Sequence, residues 1–248
     1  MRQRWFYLLM LLSLLLSACG TPTPAATPTP IPTTAIPTTE TPAALPVTPE
    51  ATDDRLYLAI IWHQHQPVYF KDPETGVYAK PWVRLHAAKD YVDMAAMLKA
   101  YPSVHVTFNL TPSLLRQLED LAAGAKDAYW IHTEVPAGEL TDDQKRFILR
   151  YFFDINPKII QRFPRYEELR LKRPADDAAV EEALAGGWST QDFLDLQVLF
   201  NLGWTDPDWL AQAPLADLVA KGRNFTEADK QLVLDEHLRL IREVIPVH

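Results

Sequence analysis

The sequence of 248 residues contains a single cysteine, only eight glycines and no excess of basic residues. One cysteine excludes an internal disulfide framework. A formal net charge of −8 and a sequence pI near 5.4 argue against a surface that binds nucleic acid. Hydrophobic residues make up 48% of the chain, which is enough for one globular domain with a real core.

The amino-terminal region has an apolar run that is too short to cross a membrane. A basic start, residues 1–4, precedes an almost wholly apolar stretch at residues 5–16, whereas a spanning helix needs roughly 20 apolar residues. The stretch is therefore typical of the core of a signal peptide. It leads into residues 16–20 (LSACG), which resemble a bacterial lipobox with Cys19 as the lipid-attachment residue.

Residues 1–19 are accordingly predicted to be a lipoprotein signal peptide that ends at Cys19. In precursors of this kind the peptidase cuts before the cysteine, and a diacylglyceryl group is added to its thiol. The alternative, an ordinary secretory signal with an incidental cysteine, is less favoured because the sole cysteine falls at the end of the apolar run. Since two or more acyl chains hold a protein on a membrane, we expect an extracytoplasmic lipoprotein anchored to the cell membrane.

Residues 20–52 have few of the residues that build a core. From residue 21 to residue 52 there is no aromatic residue and no glycine, whereas nine of the 21 prolines of the chain fall there among many threonines and alanines. This composition cannot bury a core and predicts an extended, disordered linker. The linker would hold a globular domain, residues 53–248, away from the membrane surface.

That domain is organised around residues 55–67 (RLYLAIIWHQHQP). Seven consecutive apolar residues, 56–62, predict a β-strand buried on both faces, as in a parallel sheet. Pro67 ends the strand because it has no N–H to donate. Alternation along the strand places His63 and His65 on the same face. Because ligand sites of α/β folds lie at the carboxyl ends of strands, these imidazoles are candidate binding residues.

The remainder of the domain is predicted to be mostly helical. An amphipathic helix at residues 84–100, a second strand at residues 104–110 and a helix beginning near Pro112 complete a βαβα opening over residues 53–123. Residues 124–248 show only helical patterns, in which the aromatic residues are interpreted as core and the intervening Asp and Glu as mostly solvated. The predicted fold class is therefore α/β. Helix starts in the second part are predicted at Thr141, Asn156, Ser189 or Thr190, Asp206 and Thr226.

Residues 62–67 (WHQHQP) closely resemble the opening motif of glycoside hydrolase family 57. That family contains α-amylase-like, amylopullulanase-like and glucan-transferring enzymes. The resemblance covers nearly everything from about residue 56 to the end of the sequence. It continues at residues 69, 72–73, 81–82, 84–87 (RLHA), 89–91 (KDY), 106–115 (VTFNLTPSLL), 191–197 (QDFLDLQ), 200–202 (FNL) and 204.

The resemblance implies an incomplete (β/α)7 barrel, of which this chain would supply the first two parallel strands followed by the helical region. It also implies a retaining hydrolase or transferase of α-glucans, with a glutamate nucleophile and an aspartate acid/base in motifs expected beyond residue 248. No catalytic residue is therefore assigned in this chain. In the family the histidine of the His-Gln-Pro motif contacts the sugar where cleavage occurs. This implies substrate binding by His65 with His63 beside it, and more weakly by Gln66 and Trp82.

Three functions remain open at this point. The first is the amino-terminal part of a surface-anchored α-glucan hydrolase or transferase, catalytically silent and poorly stable alone because a two-stranded parallel sheet leaves its edges open. The second is a non-catalytic carbohydrate-binding lipoprotein. The third, a zinc-dependent hydrolase related to the family 38 mannosidases, is ranked low because Gln64-His65 stands where that family needs an aspartate. No cofactor and no metal are expected.

Overall fold

The computed structural model describes residues 56–248, which form one unit, Leu56–His248. The predicted signal peptide with Cys19, the predicted linker and residues 53–55 of the predicted domain lie outside the described residues. The fold and the candidate site are therefore described for residues 56–248.

Both predicted strands are present and pair in parallel, but each is shorter than predicted. Strand β1 spans Ile61–Gln64 and strand β2 spans Thr107–Leu110, with Ile61 opposite Thr107 and Gln64 opposite Leu110. Together they make the whole sheet of the described region, and all other regular elements there are helical. The α/β architecture with two parallel strands and a mostly helical remainder is thus confirmed.

The expectation that the first strand is buried on both faces is wrong. Within the strand Ile61 is 65% exposed, and Leu56 and Leu58, which precede it, are 97% and 82% exposed. Helical residues cover only the face that carries Trp62 and Gln64, where Gln64 is 3% exposed and its Nε2 lies 3.5 Å from Sδ of Met94. The opposite face of the sheet is solvated because, within residues 56–248, no third strand and no helix packs on it. An apolar run in the sequence thus marks the strand but does not show what covers it.

The segment between the strands is helical, as predicted, but it is not one regular α-helix. Helix α1 (Trp82–His86) passes through a π-helical turn (Ala87–Tyr91) into α2 (Val92–Ala96) and ends in a 3-10 turn (Met97–Ala100). The predicted apolar face is buried at Leu85, Ala88, Val92 and Ala95.

Ten further α-helices follow β2 in the described region. None of the helices within residues 56–248 combines the length and apolarity that crossing a membrane requires. The ten are α3 (Pro112–Ala122), α4 (Ala128–Glu134), α5 (Asp142–Tyr151), α6 (Pro157–Ile160), α7 (Pro164–Leu171), α8 (Asp177–Glu182), α9 (Thr190–Gly203), α10 (Pro207–Leu210), α11 (Leu215–Lys221) and α12 (Glu227–Val247).

The predicted helix starts of the second part are confirmed by side-chain caps. A side-chain oxygen at each start accepts a hydrogen bond from a backbone N–H of the first helical turn, which otherwise has no partner. Three of the caps are complete capping boxes, in which the third helical residue also bonds the cap backbone. The capping residues are Thr141, Asn156, Ser189, Asp206 and Thr226, with the boxes at Thr141, Ser189 and Thr226.

Two hydrophobic clusters share the long helix α12. The larger cluster lies among the helices of the second part and includes stacked rings of Tyr129, Phe152 and Phe200. The smaller cluster packs α1, the π-helical turn and α3 around the carboxyl-terminal half of α12. Because Val233 belongs to the first cluster and Leu240 to the second, α12 joins the βαβα opening to the helical region.

Most acidic residues of the second part are solvated, as interpreted, but four are buried; one is Asp206, and the other three pair with charged donors. Asp127 is 1% exposed and accepts hydrogen bonds from the equally buried Arg84, with 2.6 Å between Nε and Oδ2. Asp192 and Asp195 are buried too and accept hydrogen bonds from Arg165. Each of these three carboxylates is tolerated because charged donors satisfy it. The spacing of acidic residues in the sequence does not distinguish a buried carboxylate from one on a solvated helix face.

Candidate functional site

An open cavity of about 330 Å³ lies at the carboxyl end of β1. One wall is the strand end itself, and the other is the helical segment that starts with α1. The position is the one at which α/β folds place ligand sites. The lining residues are Trp62, His63, Gln64, His65, Gln66, His86, Asp90, Tyr91 and Met94.

The two predicted histidines are both among the residues that line this cavity. The rings of His63 and His65 are stacked, with centroids 5.7 Å apart and an interplanar angle of 11°. Both residues are exposed, and Nδ1 of His63 lies 3.0 Å from Oδ1 of Asn109 at the end of β2. Because an amide oxygen only accepts, that contact places the proton of His63 on Nδ1 and leaves Nε2 as an acceptor in the neutral ring. The pair can therefore hydrogen-bond ligand hydroxyl groups.

Gln66 also lines the cavity, but its side chain is already engaged. The residue is buried, its Nε2 donates to the Tyr91 hydroxyl at 3.0 Å, and its Oε1 accepts from the Tyr69 hydroxyl at 2.9 Å. Burial raises the pKa of Tyr91 to about 12, so this hydroxyl stays protonated at neutral pH. The structure thus gives Gln66 a role in holding the strand end in place.

Helix α3 fixes the backbone that follows the histidines. Ser113 Oγ donates to the carbonyl oxygen of Gln66 at 2.7 Å, and Gln117 Nε2 donates to that of Pro67 at 2.9 Å. Gln117 Oε1 accepts from the backbone N–H of Tyr69 at 3.0 Å. These bonds hold the backbone of residues 66–69, directly after His65, so the position of His65 depends on α3 as well as on β1.

Trp82, a weaker candidate from the sequence, is not among the residues that line the cavity. It starts α1, and its ring lies 5.8 Å from that of Trp204. Both tryptophans pack against the larger hydrophobic cluster. The structure therefore places Trp82 in the packing between helices.

Sequence reasoning predicted three of the nine lining residues, and the titratable residues that it missed include His86 and Asp90. His86 Nδ1 and Asp90 Oδ2 are hydrogen-bonded, and Lys89 Nζ donates to Asp90 Oδ1 at 2.8 Å. Burial raises the pKa of Asp90, but the hydrogen bonds from His86 and Lys89 lower it by more, so the carboxyl group is ionised. The sequence pattern that could have identified this pair is the i, i+4 spacing of His86 and Asp90, which puts both side chains on one helix face.

Gln64 contributes a buried acceptor to the same cavity. Its side chain is 3% exposed, and its Nε2 lies 3.1 Å from Nε2 of His248 and 3.5 Å from Sδ of Met94. Its Oε1 has no hydrogen-bond partner among the described residues. A buried unpaired oxygen is unfavourable unless a ligand or water donates to it.

The described residues that could together hold a metal ion lie apart from the histidines. Ligand atoms of Asp93, Asp206 and Asp208 are within 4.8 Å of one another, and none of the three lines the cavity. Burial and then the neighbouring carboxylates raise the pKa values of Asp93 and Asp206. Zinc coordination by His63 and His65 would need further ligands, and this group supplies none to them.

Comparison with known proteins identifies the family. The glycosyl hydrolase family 57 model matches residues 59–245, which is most of the 248-residue chain and includes every residue of the cavity. Neither the curated proteins nor the solved structures contain a significant match. The matched region begins just before β1 and extends through nearly all of α12. The chain belongs to glycosyl hydrolase family 57.

Proposed function

We propose that this chain forms the sugar-binding wall of a surface-anchored family 57 glycoside hydrolase or transferase that acts on α-glucans. The observation that carries the proposal is the pair of stacked imidazoles, His63 and His65, in a cavity at the end of a parallel strand. Family membership supports a carbohydrate as the substrate. Neutral imidazoles donate to and accept from hydroxyl groups, which are the groups that a sugar presents.

The second part of the proposal is that this chain alone binds the glucan without cleaving it. A retaining mechanism requires two carboxyl groups about 5 Å apart across the scissile bond. Asp90 is the one carboxylate among the described residues that line the cavity, and its Oδ2 bonds His86 while its Oδ1 bonds Lys89. We therefore assign neither the nucleophile nor the acid/base to a residue of this chain.

Calorimetric titration with a soluble α-1,4-linked glucose oligomer tests the binding. We expect His65→Ala to weaken affinity by about tenfold or more, because each lost hydrogen bond costs about 1 kcal/mol and the ring also supplies contact area. His105→Ala is the matched control, since His105 is also exposed and does not line the cavity. Equal affinity of the wild-type chain and His65→Ala would rule out the proposed site.

A turnover assay with the same oligomer separates the enzyme fragment from its main rival, a non-catalytic carbohydrate-binding lipoprotein. Release of shorter sugars by the purified chain would contradict the absence of a catalytic pair. Binding without release agrees with both functions. Recovery of hydrolysis on adding polypeptide that carries the family's Glu and Asp motifs would favour the enzyme. A non-catalytic binding function is kept as the second candidate because Asp90 is the one carboxylate among the described lining residues.

We also propose that the protein is anchored outside the cytoplasm through a lipid on Cys19. Support comes from the sequence, in which the sole cysteine ends the apolar run of residues 5–16. Bacterial cells that express the chain are expected to incorporate labelled palmitate into it, and Cys19→Ser is expected to abolish the label. Label retained by Cys19→Ser would show that the anchor is elsewhere or that labelling is unspecific.

A further inference from the structure

We propose that His86 and Asp90 form a second ligand-binding element of the cavity, opposite the strand end. In this element Nε2 of His86 accepts a hydrogen bond from a hydroxyl group of a neutral polyol, and Asp90 holds the imidazole in the tautomer that makes this possible. The inference rests on the proposed binding of an α-glucan and adds the helical wall to the site.

Asp90 determines the tautomer. Its Oδ1 accepts from Lys89 Nζ at 2.8 Å, and its Oδ2 is hydrogen-bonded to Nδ1 of His86. An ionised carboxylate can only accept, so the proton of the neutral imidazole must lie on Nδ1. The lone pair is then on Nε2, which has no partner among the described residues and is free to accept from a ligand.

Packing fixes the orientation of the His86 ring. The ring makes a T-shaped contact with Trp204, with centroids 5.6 Å apart and an interplanar angle of 76°. Tyr91 lies 6.1 Å away on the same cavity wall, and its hydroxyl is held by Gln66. His86 therefore does not need to be ordered when a ligand binds, which favours affinity.

Gln64 provides an independent indication that the cavity receives hydrogen-bond donors of a ligand. Its Oε1 is a buried acceptor without a partner in residues 56–248, in the same set of lining residues as His86. Two acceptors in one cavity match a ligand with several hydroxyl groups, because hydroxyl groups can donate. Carboxylate and phosphate oxygens only accept, so anionic ligands do not satisfy these positions.

The roles of the two residues differ. His86 contacts the ligand, whereas Asp90 acts through His86 and is a positioning residue. The element binds and orients, and it requires no bond to form or break. Its effect should therefore appear in the dissociation constant and in the tautomer of His86.

The test uses the full chain and a soluble α-1,4-linked glucose oligomer, with affinities from calorimetric titration. We expect His86→Ala and Asp90→Asn each to weaken binding by about tenfold. His86→Gln should recover part of the loss, since its amide can donate to Asp90 or accept from the ligand. Asp93→Asn is the matched control, because Asp93 lies in the same helical segment and does not line the cavity.

A second measurement separates positioning from a structural role. Nitrogen-15 NMR of the imidazole reports which ring nitrogen carries the proton. We expect the Nδ1–H form of His86 in the wild-type chain and a loss of that preference in Asp90→Asn, with far-ultraviolet circular dichroism unchanged. Weakened binding with the tautomer unchanged would overturn the positioning role of Asp90.

The outcomes also separate this inference from the proposed function. Wild-type binding that is lost in His65→Ala but retained in His86→Ala would overturn the inference and leave the proposed function standing. No binding by the folded wild-type chain would contradict both. Weakening in His86→Ala and Asp90→Asn, partial recovery in His86→Gln and no change in Asp93→Asn would support both.

Discussion

Asp127→Ala is expected to lower the free energy of unfolding by about 3–5 kcal/mol, because it leaves the guanidinium of Arg84 buried without its counter-charge. Both side chains are 1% exposed, and they share two hydrogen bonds, of 2.6 and 3.3 Å. Asp127 also caps α4 by accepting from the N–H of Trp130 at 2.9 Å. The substitution therefore removes a buried ion pair and a helix cap at once.

Urea denaturation followed by circular dichroism measures this loss. Lys126→Ala is the matched control, since Lys126 is the adjacent residue and forms an exposed ion pair with Glu134 at 2.7 Å. Exposed pairs contribute about 0–1 kcal/mol, so the control should change little. A loss of about 3–5 kcal/mol approaches the whole free energy of unfolding of a marginally stable domain. Partial unfolding of Asp127→Ala without denaturant would therefore agree with the prediction. Equal effects of the two substitutions would contradict it.

Phe200→Ala is expected to destabilise the chain by about 3–5 kcal/mol through the cavity that it leaves. Phe200 is fully buried in α9, with ring centroids 4.6 Å from Phe152 and 5.6 Å from Tyr129. Neighbours in the larger cluster cannot close around the gap without losing their own stacking.

Leu171→Ala serves as the control for this substitution, because Leu171 is a large apolar residue at the end of α7 that is 73% exposed. Its replacement should change the free energy of unfolding by no more than about 0.5 kcal/mol. The same urea titration compares the two variants with the wild-type chain. A small effect of Phe200→Ala would show that the larger cluster is loosely packed and would agree with the low stability that the sequence predicts for this chain.

Short sequence patterns predict much of the local structure. The capping boxes at Thr141, Ser189 and Thr226 each required only two side chains three residues apart, so all three helix starts were predictable. The shared face of His63 and His65 followed from strand alternation alone. These features depend on neighbours in the sequence, and for that reason the sequence reveals them.

Features that depend on distant neighbours were missed. The outward exposure of Ile61 depends on which elements cover the sheet, and an apolar run does not contain that information. Asp127 looks like any other loop aspartate until Arg84 is placed beside it. His86 lines the cavity because its helix lies beside the end of β1, which is a tertiary relation.

The hydrogen bonds from α3 to residues 66–69 separate the backbone that positions the histidines from the loop that follows it. Ser113 and Gln117 hold the backbone through residue 69, so the imidazoles do not depend on the shape of the loop beyond it. That loop carries the exposed Phe70 and a tight turn at Asp72. Evolution can consequently lengthen or remodel residues 70–77 while the geometry of His63 and His65 is preserved.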